Sequence, residues 1–179
     1  FGMDFTPTLA NGANLRLLSA AAAGNNNLRI DAGPGATTGE TFADPNLSDA
    51  DTMQRVNMDA AAHDFGFNGS PGTTLYAISI GANAFYSVAG GAASDGVMTQ
   101  VTNLMFDPTG AIPSFVSMDT VGGNNGMSLL ATYSAADRSQ LWRLDLGTGA
   151  FAALPAATNT IGGADVIVRG LAIQLLPTP

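Results

Sequence analysis

The densest cluster of hard oxygen donors in the chain is Asp44-Pro-Asn-Leu-Ser-Asp49-Ala-Asp51. Calcium takes about six to eight oxygen ligands, and closely spaced aspartates on one loop can supply several of them. Asp44, Asp49 and Asp51 are therefore the candidate metal ligands, and calcium is the one cofactor the residues leave open. The segment departs from an EF-hand, because it lacks the terminal bidentate Glu and carries Pro45 where a ligand loop needs freedom. The competing reading is a solvated acidic loop that keeps the protein soluble.

His63 is the sole histidine and sits beside Asp64. A Ser–His–Asp triad needs its acid to orient the imidazole from across the fold. Neighbours on a strand point to opposite faces, so Asp64 is badly placed for that. No Gly-x-Ser-x-Gly elbow presents a nucleophile, and one histidine cannot build a His-rich zinc site. His63 reads as a polar strand residue. Asp4, Asp59, Asp119 and Asp145 could pair for glycoside hydrolysis, yet they recur at comparable strand positions. Recurrence favours turn capping by acceptance of backbone N–H groups over a unique catalytic pair. Arg16, Arg29, Arg143 and Arg169 fall within or beside strands, where they pair with aspartates or line a channel. Trp142, Tyr76, Tyr86 and Tyr133 also fall on strands, and packing between neighbouring units accounts for most of them. The chain is thus read as having no catalytic residues.

The elements that carry these residues can be read from composition and repetition. All six cations are arginine, against fourteen acidic side chains, and the net charge is −8. Such a surface repels phosphate backbones and argues against nucleic-acid binding. Charged residues make up only 11%, about half the usual share, so the polar faces are largely uncharged, as on the strands of many secreted β-proteins. Without cysteine there are no disulfides, thiolate metal sites or thiol nucleophiles. The longest apolar stretch, residues 166–176, is broken by Arg169, Gly170 and Gln174 and is too short to span a bilayer. Phe1 opens the chain, so either a leader has been removed or the sequence is a segment of a longer one. A periplasmic or extracellular location is the preferred expectation.

Three stretches resemble one another. The first joins Asn14-Leu-Arg-Leu-Leu-Ser, Asn27-Leu-Arg-Ile-Asp and Gly35-Ala-Thr-Thr-Gly. The second joins Thr74-Leu-Tyr-Ala-Ile-Ser, Asn83-Ala-Phe-Tyr-Ser-Val and Gly96-Val-Met-Thr-Gln-Val. The third joins Ser128-Leu-Leu-Ala-Thr-Tyr, Gln140-Leu-Trp-Arg-Leu-Asp-Leu and a segment opening at Gly147. A further apolar segment precedes each: Phe1–Phe5, Met58–Phe67 and Phe115–Asp119. The spacing, roughly 55 to 60 residues, is in the range of propeller blades. Leu141, Arg143 and Asp145 alternate with Trp142, Leu144 and Leu146, as on a half-buried strand. Asn11-Gly12, Asn125-Gly126, Asp95-Gly96 and Gly147-Thr-Gly149 supply tight-turn chemistry. Only Ala20–Ala23 hints at helix, and Gly24-Asn-Asn-Asn stops it. The expected fold is all-β and β-propeller-like: three complete four-stranded blades, plus an extra strand at Val168–Leu176 from an incomplete or shared blade. Residues 1–176 would form a single domain, with 177–179 as a tail. The edge left by an incomplete blade invites pairing.

The order Phe1-Gly-Met-Asp-Phe, Asn14-Leu-Arg, Asn27-Leu-Arg-Ile-Asp, Thr74-Leu-Tyr-Ala-Ile, Leu141-Trp-Arg-Leu-Asp-Leu-Gly-Thr-Gly-Ala and Val168-Arg-Gly-Leu-Ala-Ile resembles the central part of a bacterial secreted family catalogued as a domain of unknown function. The resemblance covers nearly the whole chain and implies export and a propeller-like fold. Members of that family usually carry one further repeat before the segment matching Phe1, and they bring no catalytic residues to transfer. The expected function is a non-catalytic extracytoplasmic structural module, docked on a protein partner in a larger assembly or forming a homo-oligomer. This chain would not itself insert into a membrane, although docking to a membrane complex is compatible. The alternative is a small-ligand, carbohydrate or calcium-binding module.

Overall fold

The computed structural model describes residues 1–6, 14–19, 24, 26–31, 39–64, 74–88, 96–104, 112–120, 127–134, 138–154, 160–162 and 166–173. The turns proposed at Asn11-Gly12 and Asn125-Gly126, and the segment Ala20–Ala23, lie outside these residues. The described elements are all strands, gathered into three sheets of which none closes on itself.

The first sheet is an antiparallel meander of β1 (Gly2–Thr6), β2 (Asn14–Leu18), β3 (Asn27–Asp31) and β4 (Thr41–Ala43). The third has the same plan: β10 (Phe115–Thr120), β11 (Met127–Ser134), β12 (Arg138–Asp145) and β13 (Phe151–Ala153). Between them in sequence, β6 (Ala60–His63), β7 (Leu75–Ser79), β8 (Ala84–Val88) and β9 (Val97–Asn103) form a third meander. Here the two-residue β5 (Ser48–Asp49) pairs with the outer strand β9 in parallel. The three expected four-stranded units are present. The last described strand of the first unit is Thr41–Ala43, residues 35–38 of the segment assigned there lie outside the described residues, and β5 is an addition to the repeat.

Alternation decides which sheet covers which. Leu18, Met58, Ala61, Leu75, Ala77, Tyr86 and Val88 belong to one buried cluster, between the first and second sheets. Ala60, Ala62, Ile78, Phe85, Met118, Leu130, Trp142 and Leu144 belong to another, between the second and third. The period of two sends Ala60, paired with Ile78, to one face and Ala61, paired with Ala77, to the other. The middle sheet is therefore packed on both sides. Trp142, Leu144 and Leu146 are buried as the alternation predicted, and the Trp142 indole N–H donates to Thr132 Oγ1 at 2.9 Å.

The opening strands of the three units lie side by side, with β6 packed against both β1 and β10. Three successive alanines in β6 keep the separation small. A Cβ built on Gly2 would fall 2.3 Å from the backbone nitrogen of Ala61 and 2.5 Å from the carbonyl carbon of Ala60. Gly2→Ala must therefore push β1 away from β6, because backbone cannot yield as a side chain can. We expect a loss of about 1–3 kcal/mol in urea unfolding, and a loss near zero would show that the two strands are not held in contact.

Residues 166–173 depart from expectation: they form no strand, although Val168–Leu176 had been assigned one, and residues 174–176 lie outside the described residues. The segment is tied to the third sheet by side chains. Ser139 Oγ donates to the carbonyl of Val166 and accepts from the N–H of Val168, at 2.6 and 3.0 Å. The Arg169 guanidinium stacks 4.8 Å above the centroid of the Phe115 ring.

Candidate functional site

The three candidate calcium ligands go different ways. Asp44 is buried and takes Arg16 Nη1 at 2.5 Å on one oxygen and Arg29 Nη2 at 3.3 Å on the other. Asp49 Oδ1 accepts from the backbone N–H groups of Asp51 and Thr52 and from Thr52 Oγ1, at 3.0, 2.8 and 3.0 Å. Asp51 contributes its backbone to that turn and is itself exposed. Among the described residues no group of three acidic or histidine side chains is arranged to hold a metal ion. The expectation that Arg16 and Arg29 pair with an aspartate is met at Asp44.

His63 is buried in β6, with Nδ1 3.2 Å from Asp4 Oδ2. The acid comes from β1, a different unit, and not from neighbouring Asp64. The same Asp4 oxygen also accepts the backbone N–H of His63. The nearby Thr120 hydroxyl is committed to the carbonyl of His63. The arrangement fastens strands, and its Thr120 hydroxyl is already engaged.

The recurring aspartates have split roles. Asp145 caps a turn as expected, accepting from the N–H groups of Gly147 and Thr148 at 3.0 and 2.8 Å and from Thr148 Oγ1 at 2.8 Å. These bonds, led by the Thr148 hydroxyl, hold its carboxyl below the usual range. Asp59 accepts the N–H of Ile80. Asp4 and Asp119 instead reach the backbone of another unit: Asp4 takes the N–H of His63, and Asp119 takes the N–H of Ile173. Residues 166–173 thus stand to β10 in the relation that β6 holds to β1.

Burial raises the Asp119 carboxyl above its ordinary value. A raised carboxyl favours folding most below its unfolded value near 3.8, and that contribution is lost as pH rises through the folded value. Asp119→Asn does not titrate there. Measured by thermal melts, the stability difference between variant and wild type should move in the variant's favour as pH rises from about 3 to neutrality. A difference independent of pH would mean that the carboxyl is not desolvated by the fold.

Three surface features remain. The first is the outer face of the first sheet. The paired rows Met3–Leu17–Leu28 and Phe5–Leu15–Ile30 lie on one side of it. Met3 and Phe5 are 55% and 54% exposed, and the other four are half-buried. Sheet alternation sends Asp4, Arg16 and Arg29 to the opposite side. The equivalent row of the middle sheet, His63–Leu75–Val88, is covered by the first sheet.

The second feature is a cavity of about 140 Å³ where β1, β6, β10 and residues 169–171 converge. The buried Ser117 hydroxyl on its wall has no protein partner. The space suits a few waters, each of which occupies about 30 Å³ in the liquid.

The third is an open polar groove of about 500 Å³, beside β5, the β7–β8 turn and β9. Asp49, Gln54, Arg55, Asn57, Tyr86 and Gln100 are on its walls. Hydrogen bonding, foremost from the Thr52 backbone, keeps the Asp49 carboxyl below its ordinary range, whereas burial raises the Tyr86 phenol. Asp49 is thus an anion at neutral pH and the phenol, which hydrogen-bonds it, stays neutral. Apart from Asp49 and Tyr86, the groove residues carried no signal of their own in the sequence. The one available clue was that they gather around the connection between β4 and β6.

These features define an all-β protein of three repeated, face-stacked sheets. The chain belongs to the family described as a domain of unknown function, DUF4394, which matches residues 1–172. No curated protein matches it.

Proposed function

We propose that the chain is a non-catalytic, extracytoplasmic interaction module with a propeller-like arrangement, and that the outer face of its first sheet docks a second copy of the chain. The observation that carries this reading is the apolar face of Met3, Phe5, Leu15, Leu17, Leu28 and Ile30, on which Met3 and Phe5 are more than half exposed. Water-facing rows of this composition mark interaction surfaces. The propeller-like arrangement is supported by the side-by-side opening strands and by the Asp4 and Asp119 links between units. Export is supported by a lysine-free composition with few charges.

A second copy fits the face on two counts. Two copies of net charge −8 repel at long range, and a contact through rows without charged side chains is the one that adds no like-charge apposition to that repulsion. A two-fold axis through an apolar face also sets each row against an equally apolar one. Four strands about 4.8 Å apart and about five residues long give a face of roughly 19 by 16 Å. That footprint belongs to the small, weak class of interface. Sedimentation velocity over a concentration series should therefore show a dimer forming reversibly at micromolar or higher concentration. Leu17→Asp should remove the dimer while leaving the melting temperature of the monomer in place. A monomer at every concentration, or a dimer indifferent to Leu17→Asp, overturns the proposal.

A further inference from the structure

We infer that Met3 is an oxidation site: a peroxide turns its thioether into the sulfoxide and so releases the second copy, a step that rests on the self-docking proposed above. The chain has no cysteine, so its sulfur redox chemistry belongs to seven methionines. Met58 and Met98 are fully buried and Met118 nearly so, whereas Met3 and Met53 are more than half exposed. Met105 and Met127 fall outside the described side chains. Met53 belongs to the turn after β5, where its N–H donates to the carbonyl of Asp49, and to neither apolar row. Of the methionines with described side chains, Met3 alone joins access to a place on the apolar face.

That place is sensitive to polarity. The rows Met3–Leu17–Leu28 and Phe5–Leu15–Ile30 contain no polar side chain. Leu17 and Leu28 are half-buried while Met3 stands clear of them, so Met3 is among the first side chains a docked copy meets. Methionine suits such a contact because its flexible thioether adapts to the facing surface.

The chemistry is a two-electron transfer. A sulfur lone pair attacks one oxygen of hydrogen peroxide, the O–O bond breaks, the S–O bond forms and water leaves. The sulfur is oxidised and the peroxide reduced. The new oxygen is a strong acceptor, and between two apolar rows no side chain donates to it. An unmet acceptor weakens the contact by about fivefold or more. A two-fold contact holds Met3 from both copies, so the dissociation constant should rise at least about 25-fold once both are oxidised. Sulfoxide reductases reverse the step: two thiols become a disulfide, the oxygen leaves as water and the thioether returns.

The test treats the whole chain with graded hydrogen peroxide, maps sulfoxides by peptide mass spectrometry and follows the dimer by sedimentation velocity. We expect the dimer to be lost in step with Met3 oxidation, in wild type and in Met53→Leu alike, with the melting temperature of the monomer unchanged. Sulfoxide reductases with dithiothreitol should restore it, and the thiol has no disulfide to cut in this chain. Docking also shields Met3, so its oxidation should slow as chain concentration rises, while that of Met53 should not. A dimer that persists with Met3 fully oxidised, or whose loss follows another methionine or a fall in melting temperature, overturns the inference and leaves self-docking standing. A chain that is monomeric before any peroxide is added overturns both.

Discussion

Replacing Asp44 with Ala should cost about 3–5 kcal/mol of folding stability, read as a lowered midpoint in urea. The reason is what stays behind. Arg16 is 5% exposed and directs Nη1 to Asp44 and to Asn27 Oδ1. Without the carboxylate, a guanidinium is buried beside an amide that cannot balance its charge. Arg29, which shares Asp44, has a side chain 34% exposed and can turn to solvent. The burden therefore falls on Arg16. Its Nε is already buried without a partner, so the pair is imperfectly satisfied even in the wild type. Replacing both members with apolar residues, as in Arg16→Met/Asp44→Leu, should consequently recover most of the loss. Equal losses in the single and double variants would show that Asp44 acts through packing and not through charge.

Phe85→Ala should be comparably damaging, at about 3–5 kcal/mol. Phe85 has no solvent exposure and stacks on Tyr76, with ring centroids 5.5 Å apart. It lies in the cluster that joins the middle sheet to the third. The void it leaves lies beside its register partner Ile78, in the cluster that also holds Leu104 and Met118, and rigid strands on both sides cannot close it. Chemical unfolding measures the total loss. Hydrogen exchange should show the third sheet losing protection before the first, because the cluster between the first and second sheets is untouched. Uniform loss across all three sheets would mean that they unfold as one unit whichever cluster is damaged.

Much of the fold could be read from the chain because its strands announce themselves twice. Leu141–Leu146 alternates with period two, and the same strand–turn–strand grammar recurs in three places. The buried ends of that alternation, Trp142 and Leu144, are where the sequence places them. Other elements left no such mark. β5 has two residues, too few for any periodicity, and exists because its backbone meets β9 in parallel. Residues 166–173 have the apolar composition of a strand, yet their backbone groups find Ser139 and Asp119 in place of a ladder. Asp4 and Asp119 looked like turn caps because an aspartate near a strand end has that local option. Only the tertiary arrangement brings another unit's N–H within reach. The groove was least legible of all. Glutamine and asparagine are common on surfaces, and only the fold gathers Gln54, Asn57 and Gln100 along one groove.

The outermost strands bear on polymerisation. β4 and β13 have three residues each, and β5, which lies outside β9, has two. An exposed strand recruits further chains along its free N–H and C=O groups, and cross-β growth needs a run of about six or seven residues. These rims are too short to template such growth. The longer β9, with seven residues, has its outer side partly occupied by β5. Along these rims fibril growth finds no starting rung, so a second copy docked on the apolar face of the first sheet, as proposed, would gain no further pairing there.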